Sequence, residues 1–183
     1  MPENERKVFS GQIFTVYQWD QKLYDGSTAV FERISRADTA GVLAVTPAKK
    51  IIVTRQEQPA LQPFWSLLGG IVDAGESPEE AAARELLEEA GMRGVLEPWF
   101  TVEPAEKVSW KTHQFVAHDC VRVAEQSLDK GEKIEVHEVS FEPFLELAQR
   151  PDFRDKQVQL AVFSALVSAE KMKALRSLLF REQ

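Results

Sequence analysis

A chain of 183 residues, 44% apolar and 28% charged, is long enough for one domain with a substantial core and too apolar for wholesale disorder. Its net charge of −7 excludes a nucleic-acid-coating surface, which needs a basic face, but not anionic small substrates, because bound divalent cations reverse the local sign. Cys120 is the single cysteine, the start MPENERKVFS lacks the apolar stretch of a signal peptide, and no apolar run approaches the ~18–20 residues that span a bilayer. A cytoplasmic protein with neither a nucleic-acid nor a membrane partner is expected.

The first half of the chain reads as strands. Val8, Ile13, Phe14, Val16 and Tyr17 alternate with polar residues, and Asp25-Gly26 marks a turn. STAVFERIS, AGVLAVTP and KIIVTRQEQ follow, each short and rich in β-branched residues, with Pro47-Ala48-Lys49-Lys50 as the expected hairpin turn between the last two. The period then changes. Ser77 is an N-cap, Pro78 suits the first helical position, Glu80 completes a capping box, and Gly91 falls where a C-terminal glycine belongs. The spacing predicts a helix over 78–90, made almost wholly of strong helix formers. Strands are predicted over 95–102, 113–123 and 136–141, a short helix from about Pro143, and one longer helix from about Asp155 toward the end. A mixed sheet between helices fits this order.

The helix carries an unusual set of acids. Glu85, Glu88 and Glu89 share a face by their spacing, with Ala83, Leu87 and Ala90 as one apolar stripe and Ala82 and Leu86 as another. Arg84 is placed to reach Glu88 or a neighbouring acid. Converging carboxylates suit hard, oxygen-seeking cations such as Mg²⁺, and Glu76 in the preceding loop could add an oxygen. A glutamate-rich helix is ordinarily a solvated face; here the order of the residues decides otherwise. Gly70, Glu76, Arg84-Glu85-Leu86, Glu88-Glu89 and Gly91-Met92 resemble the box of the Nudix family at every defining position.

The resemblance implies an α/β/α sandwich around a mixed sheet and hydrolysis of nucleoside diphosphates linked to another moiety. It also implies Mg²⁺, or Mn²⁺, held by Glu85 and Glu89, with Glu88 contributing directly or through water and the Gly69 carbonyl as a further ligand. Arg84 and Glu76 would pair to keep loop and helix in register. The stretch from Gly11 to Gly70 is similar to the N-terminal half of the ADP-ribose and nucleoside-diphosphate-sugar pyrophosphatases, in which an antiparallel β region precedes the Nudix core and builds a homodimer. Residues 1–38 are read as that region and 39–183 as the Nudix domain. GEKIEVHEVSFEPFLELA resembles the same subgroup's late loop and strand, which makes Glu132 the candidate general base and Glu135 the fallback.

The sequence departs from the subgroup at three places. Arg55-Gln56-Glu57-Gln58 lacks the second arginine of the usual RQYR, SLLGG replaces ELPAG over 66–70, and Pro104 is all that remains of an SPG turn. These differences favour broad nucleotide-sugar use, ADP-ribose and GDP-mannose included, over strict ADP-ribose specificity. Arg55 could hold a phosphate or base, or pair with an acid. Trp65 and Trp110 could stack on a base or sugar, or serve the core or a dimer interface. His113, His118 and His137 read as structural, Cys120 as a small core hydrophobe, and Leu160, Phe163, Leu166 and Val167 as the core face of the last helix. Two other functions are open: sanitation of oxidised dNTPs, and a non-catalytic nucleotide-sugar sensor.

Overall fold

The structure is a computed structural model describing residues 4–103 and 107–181; Pro104 lies outside the described residues. An N-terminal antiparallel unit comprises β1 (Arg6–Ser10), β2 (Thr15–Lys22) and β3 (Thr28–Ser35). Asp25 turns β2 into β3, its carboxylate accepting from the Ser27 N–H at 2.9 Å. A fourth strand, β9 (Val108–Ser109), joins β3 in parallel and ties this sheet to the rest of the chain.

Two further sheets form the centre. One has β7 (Leu68–Ile71), β4 (Thr39–Ala44), β10 (Thr112–Arg122) and β8 (Met92–Val102) in that order, and is mixed, since β4 and β10 run parallel. The other has β11 (Lys133–Val139), β5 (Ile51–Glu57) and β6 (Phe64–Ser66), all antiparallel. Val42–Ala44 of β4 and Ile51–Val53 of β5 are continuous apolar runs, fully buried because both faces of the strands are covered there. Ala40, Val42, Ala44 and Ile52 pack toward α1 (Pro78–Ala90), while Leu43, Val45, Ile51 and Val53 pack toward α2 (Phe141–Ala148), α3 (Lys156–Leu166) and α4 (Ala169–Phe180). The period-2 alternation of single strands thereby divides the core into two layers, giving the mixed α/β sandwich that the pattern predicts.

Several expectations need correction. The 47–50 turn exists, with the Thr46 N–H donating to the Lys50 carbonyl at 2.8 Å, but it is not a hairpin inside one sheet. Both edges of β4 are taken by β7 and β10, so beyond a single Val45–Ile51 bridge the chain passes to the second sheet. The last helix is two helices, because Ser168 caps α4 through the Lys171 N–H and the chain breaks at Val167. On α3 the core face is Val158, Val162 and Ala165; Leu160, Phe163, Leu166 and Val167 are exposed. On α1, Ala83 is exposed and the inward stripe runs through Ala81, Ala82, Leu86, Glu89 and Ala90. Short β6, β7 and β9 carry too little period to be read from sequence.

Candidate active site

α1 begins and ends as its sequence dictates. The Ser77 hydroxyl accepts from the Glu80 N–H at 3.2 Å, the Glu80 carboxylate accepts from the Ser77 N–H at 2.8 Å, and Gly91 adopts φ 64° after the last turn. The caps fix where the helix starts and stops, and burial of Ala81, Ala82, Leu86 and Ala90 against the sheet fixes its rotation and hence where its acids point.

Arg84 organises the loop that leads into the helix. Its Nε and Nη2 donate to the two oxygens of Glu76 at 3.0 and 3.1 Å, Nη2 also reaches the Ile71 carbonyl at 2.8 Å, and Nη1 reaches Glu85 at 2.8 Å and Glu88 at 3.0 Å. Five bonds from one planar fork lock loop and helix together, a geometry that lysine cannot reproduce. Hydrogen bonding from Arg84 holds Glu76 below the usual carboxylate range, and Glu76 in turn raises Arg84. Glu76 is thus committed to the arginine.

The acids differ in depth. The side chain of Glu88 is 42% exposed and that of Glu85 12%, while Glu89 is 3% exposed. Burial pushes Glu85 up against the opposing pull of Arg84, and pushes Glu89 up to about 8 against the Gly69 N–H, which donates to its Oε2 at 2.8 Å. The close fit needs two glycines. Gly69 has φ 144°, and a side chain on it would run into the Ala40 carbonyl; one on Gly70 would run into Glu85.

Glu85, Glu88 and Glu89 line one cleft of about 390 Å³ with Glu132, Asp73 and Asp129, and Arg84 is the lone cation on its described wall. Glu132 sits on the turn into β11, its N–H donating to the Asp129 carbonyl at 3.0 Å. Lys133, its neighbour, is drawn away to Glu57 at 2.9 Å, whereas Glu135 points off the cleft toward His137. The loop before Glu132 is stitched to the end of α1: the Ser127 N–H donates to the Glu88 carbonyl at 2.8 Å, and Gln126 Nε2 to the Glu89 carbonyl at 2.6 Å. Asp73, Asp129, Gln126 and Ser127 were not singled out by sequence, because only folding brings the 126–132 loop beside the helix.

The donor set fits a divalent cation. It consists of oxygens, as hard cations require, and two of its carboxylates are buried among like charges with only an arginine to offset them. Among the described residues no three acids close into a finished coordination sphere, since Arg84 holds Glu85 and Glu88. Glu89 and the Gly69 backbone already face each other.

The remaining candidates separate. Arg55 pairs with Asp152 at 3.1 Å and lies 5.6 Å from the Trp65 ring, and Trp65 packs on His137 and the core, both off the cleft wall. Trp110 lines a second cavity of about 280 Å³ with Arg36, Asp38 and Lys111, and Arg36 lies 5.5 Å from its ring. The walls of the two cavities are joined through one backbone bond: the Asp38 carbonyl accepts from the Val72 N–H at 2.9 Å, and Val72 stands between Ile71 and Asp73 of the acidic cleft. His113 bonds Asp38 and Thr101, His118 is buried against Glu97, and Cys120 is buried in the core.

An acidic loop–helix–loop on this sandwich defines a class. Residues 35–162 match the NUDIX domain, and the chain belongs to that family. It is an enzyme of the pyrophosphatase class, whose members generally work with a divalent cation such as Mg²⁺. The chain is 29% identical over 170 residues to an ADP-ribose pyrophosphatase of Bacillus subtilis (strain 168), covering 86% of this chain and 88% of that one. It is 25% identical over 163 residues to a methanol dehydrogenase activator of Bacillus methanolicus, covering 85% and 86%. The solved structure of an ADP compounds hydrolase aligns with a TM-score of 0.73 at 26% identity, covering 88% of this chain and 89% of that one.

Proposed function

We propose that the protein hydrolyses the pyrophosphate bond of nucleoside diphosphate sugars, ADP-ribose, GDP-mannose or a relative, to a nucleoside monophosphate and a sugar phosphate, with Mg²⁺ or Mn²⁺. The observation that carries this is the charge of the cleft: Asp73, Glu85, Glu88, Glu89, Asp129 and Glu132 face one arginine. Such a wall repels a pyrophosphate unless cations lie between, and a substrate that brings two phosphates supplies the complement. Divalent cations bound there would neutralise the pyrophosphate and stabilise charge on the leaving oxygen.

The chain's own residues supply the rest. Glu85 and Glu89, with Glu88 at the rim and the Gly69 carbonyl, hold the cation, while Arg84 keeps the acids aligned. Glu132, which lines the same cleft, accepts the proton of the water that attacks phosphorus in this reading. Trp110, which lines the second cavity beside Arg36, stacks on the base or sugar in this reading. Arg55 and Trp65, tied to Asp152 and His137, support the scaffold in this reading.

Residues 1–38 are proposed to pair two copies into a homodimer. Val8, Phe9, Ile13 and Val30 on β1–β3 and their turns are about half exposed, an apolar surface that a second copy would cover. A cytoplasmic location accords with this substrate class, and among the described residues no helix is long and apolar enough to cross a membrane.

Chromatographic product analysis with Mg²⁺ over ADP-ribose, GDP-mannose, UDP-glucose and 8-oxo-dGTP tests the activity. Monophosphate and sugar phosphate from the nucleotide sugars are expected. Turnover of 8-oxo-dGTP alone would replace the reading with dNTP sanitation, and binding without product would make the protein a sensor.

A further inference from the structure

Asp155 stands at the N-cap of α3, yet its side chain makes no cap bond to that helix. An aspartate there ordinarily accepts from an N–H of the first helical turn, because those donors have no partner within the helix. Asp155 Oδ2 instead reaches across to the sheet and accepts from the Leu67 N–H at 2.7 Å and the Ser66 hydroxyl at 3.0 Å. Leu67 is the break between β6 and β7, where the chain leaves one sheet for the other.

Two residues further on, the Gly69 N–H donates to Glu89 at 2.8 Å. On its other side Gly69 pairs with Gly41 of β4, so close that a side chain on it would meet the Ala40 carbonyl. Ser66 and Leu67, both bonded to Asp155, anchor the strand on the N-terminal side of Gly69. The segment from Asp152 to Arg154 reinforces the hold: the Trp65 N–H donates to the Asp152 carbonyl at 2.9 Å and the Arg154 N–H to the Trp65 carbonyl at 2.8 Å, with a parallel bridge between Trp65 and Phe153. The start of α3, remote in sequence from the Nudix box, therefore grips the strand that delivers a backbone partner to the deepest acid of the cleft.

We infer that Asp155 is a positioning residue for the cleft, holding Ser66 and Leu67 so that the Gly69 peptide meets Glu89 and the two present their oxygens together. The inference rests on the reading of Glu89 and Gly69 as cation ligands. Residues that orient ligands from behind set metal affinity as well as rate, so the effect extends beyond turnover.

Mn²⁺ binding to the full chain without substrate, followed by electron paramagnetic resonance, is the primary readout, with ADP-ribose kinetics beside it. Asp155→Ala is expected to weaken Mn²⁺ binding about tenfold and lower kcat, with KM for ADP-ribose held within about twofold. Asp155→Asn keeps an oxygen for the Leu67 N–H and is expected to recover most of the loss. An asparagine variant as impaired as the alanine one, or a folded Asp155→Ala protein with wild-type Mn²⁺ affinity, overturns the inference. If Asp155→Ala does not fold, Ser66→Ala decides: weaker Mn²⁺ binding supports the role and unchanged binding refutes it. Glu89→Gln keeps the two ideas apart. Wild-type Mn²⁺ affinity in that variant overturns the ligand assignment and this inference with it, whereas impaired Glu89→Gln beside normal Asp155→Ala overturns the positioning role alone.

Discussion

Arg84, on the wall of the acidic cleft, grips Glu76 of the preceding loop, Nε and Nη2 on the two carboxylate oxygens at 3.0 and 3.1 Å. The same guanidinium holds Glu85, Glu88 and the Ile71 carbonyl. Arg84→Lys keeps the charge but loses the fork, so loop and helix should disengage. We expect a loss of about 1–3 kcal/mol in urea unfolding, the size of a charge-assisted bond left unmade. Glu76→Gln, which keeps one acceptor oxygen, should cost less. Equal stability of Arg84→Lys and wild type would show that the fork is dispensable.

Glu89 makes the metal-free protein sensitive to pH. Burial raises its folded-state pKa from the ordinary glutamate value of 4.5 to about 8. Between those values the unfolded chain has released a proton that the folded chain retains, so stability is fully present below about 4.5 and falls as pH rises through about 8. The fall is on the order of a few kcal/mol at most. Glu89→Gln should flatten the slope in denaturant titrations at several pH values and abolish Mg²⁺-dependent turnover. Mg²⁺ should oppose the fall in wild type, since ligation requires the deprotonated acid. A slope unaltered by the substitution would assign it to another group.

Glu132 tests the division of labour on the cleft wall. As a proton acceptor rather than a ligand, Glu132→Gln should lower kcat by ~10²–10⁴-fold. Its Mn²⁺ affinity should stay near wild type, in contrast to Glu85→Gln and Glu89→Gln. Parallel loss of cation binding would move Glu132 into the ligand set.

Trp110 and Trp65 should part company. Trp110→Ala removes a wall of the second cavity and is expected to raise KM with little change in melting temperature. Trp65→Ala removes a ring packed against the core cluster and His137, and should cost ~3 kcal/mol or more of stability. KM effects of equal size in both variants, measured on folded protein, would contradict this assignment.

Cys120 should be inert. It is 1% exposed, its thiol bonds the Ala117 carbonyl at 3.3 Å, and burial pushes its pKa up to about 11. Thiol reagents at pH 8 should leave the native protein unmodified and label it fully in denaturant. Rapid labelling of the native state would reveal an opening of β10 that the packing does not suggest.

The sequence by itself determined the elements whose signals are local. Capping chemistry at Ser77, Pro78, Glu80 and Gly91 reproduces α1 to the residue, because a helix end is settled by donors and acceptors a few positions apart. The order of Gly70, Glu76, Arg84, Glu85, Glu88 and Glu89 carried the family for the same reason. Alternating apolar residues mark the long strands, but the Pro47–Lys50 turn reads as a hairpin inside one sheet, since nothing in the turn records that β7 and β10 occupy both edges of β4. The apolar residues of α3 were likewise placed on the wrong face: composition marks a helix as amphipathic, but its rotation is chosen by what Val158, Val162 and Ala165 can bury. Tertiary structure alone decided how deep each acid lies. Glu85, Glu88 and Glu89 are chemically identical, and only the sheet, the Gly69 peptide and the 126–132 loop make one of them a buried, proton-retaining group and another a rim carboxylate. It also decided that Asp155 serves a distant strand instead of its own helix, because hydrogen-bond partners are chosen by proximity after folding, and sequence separation does not record it.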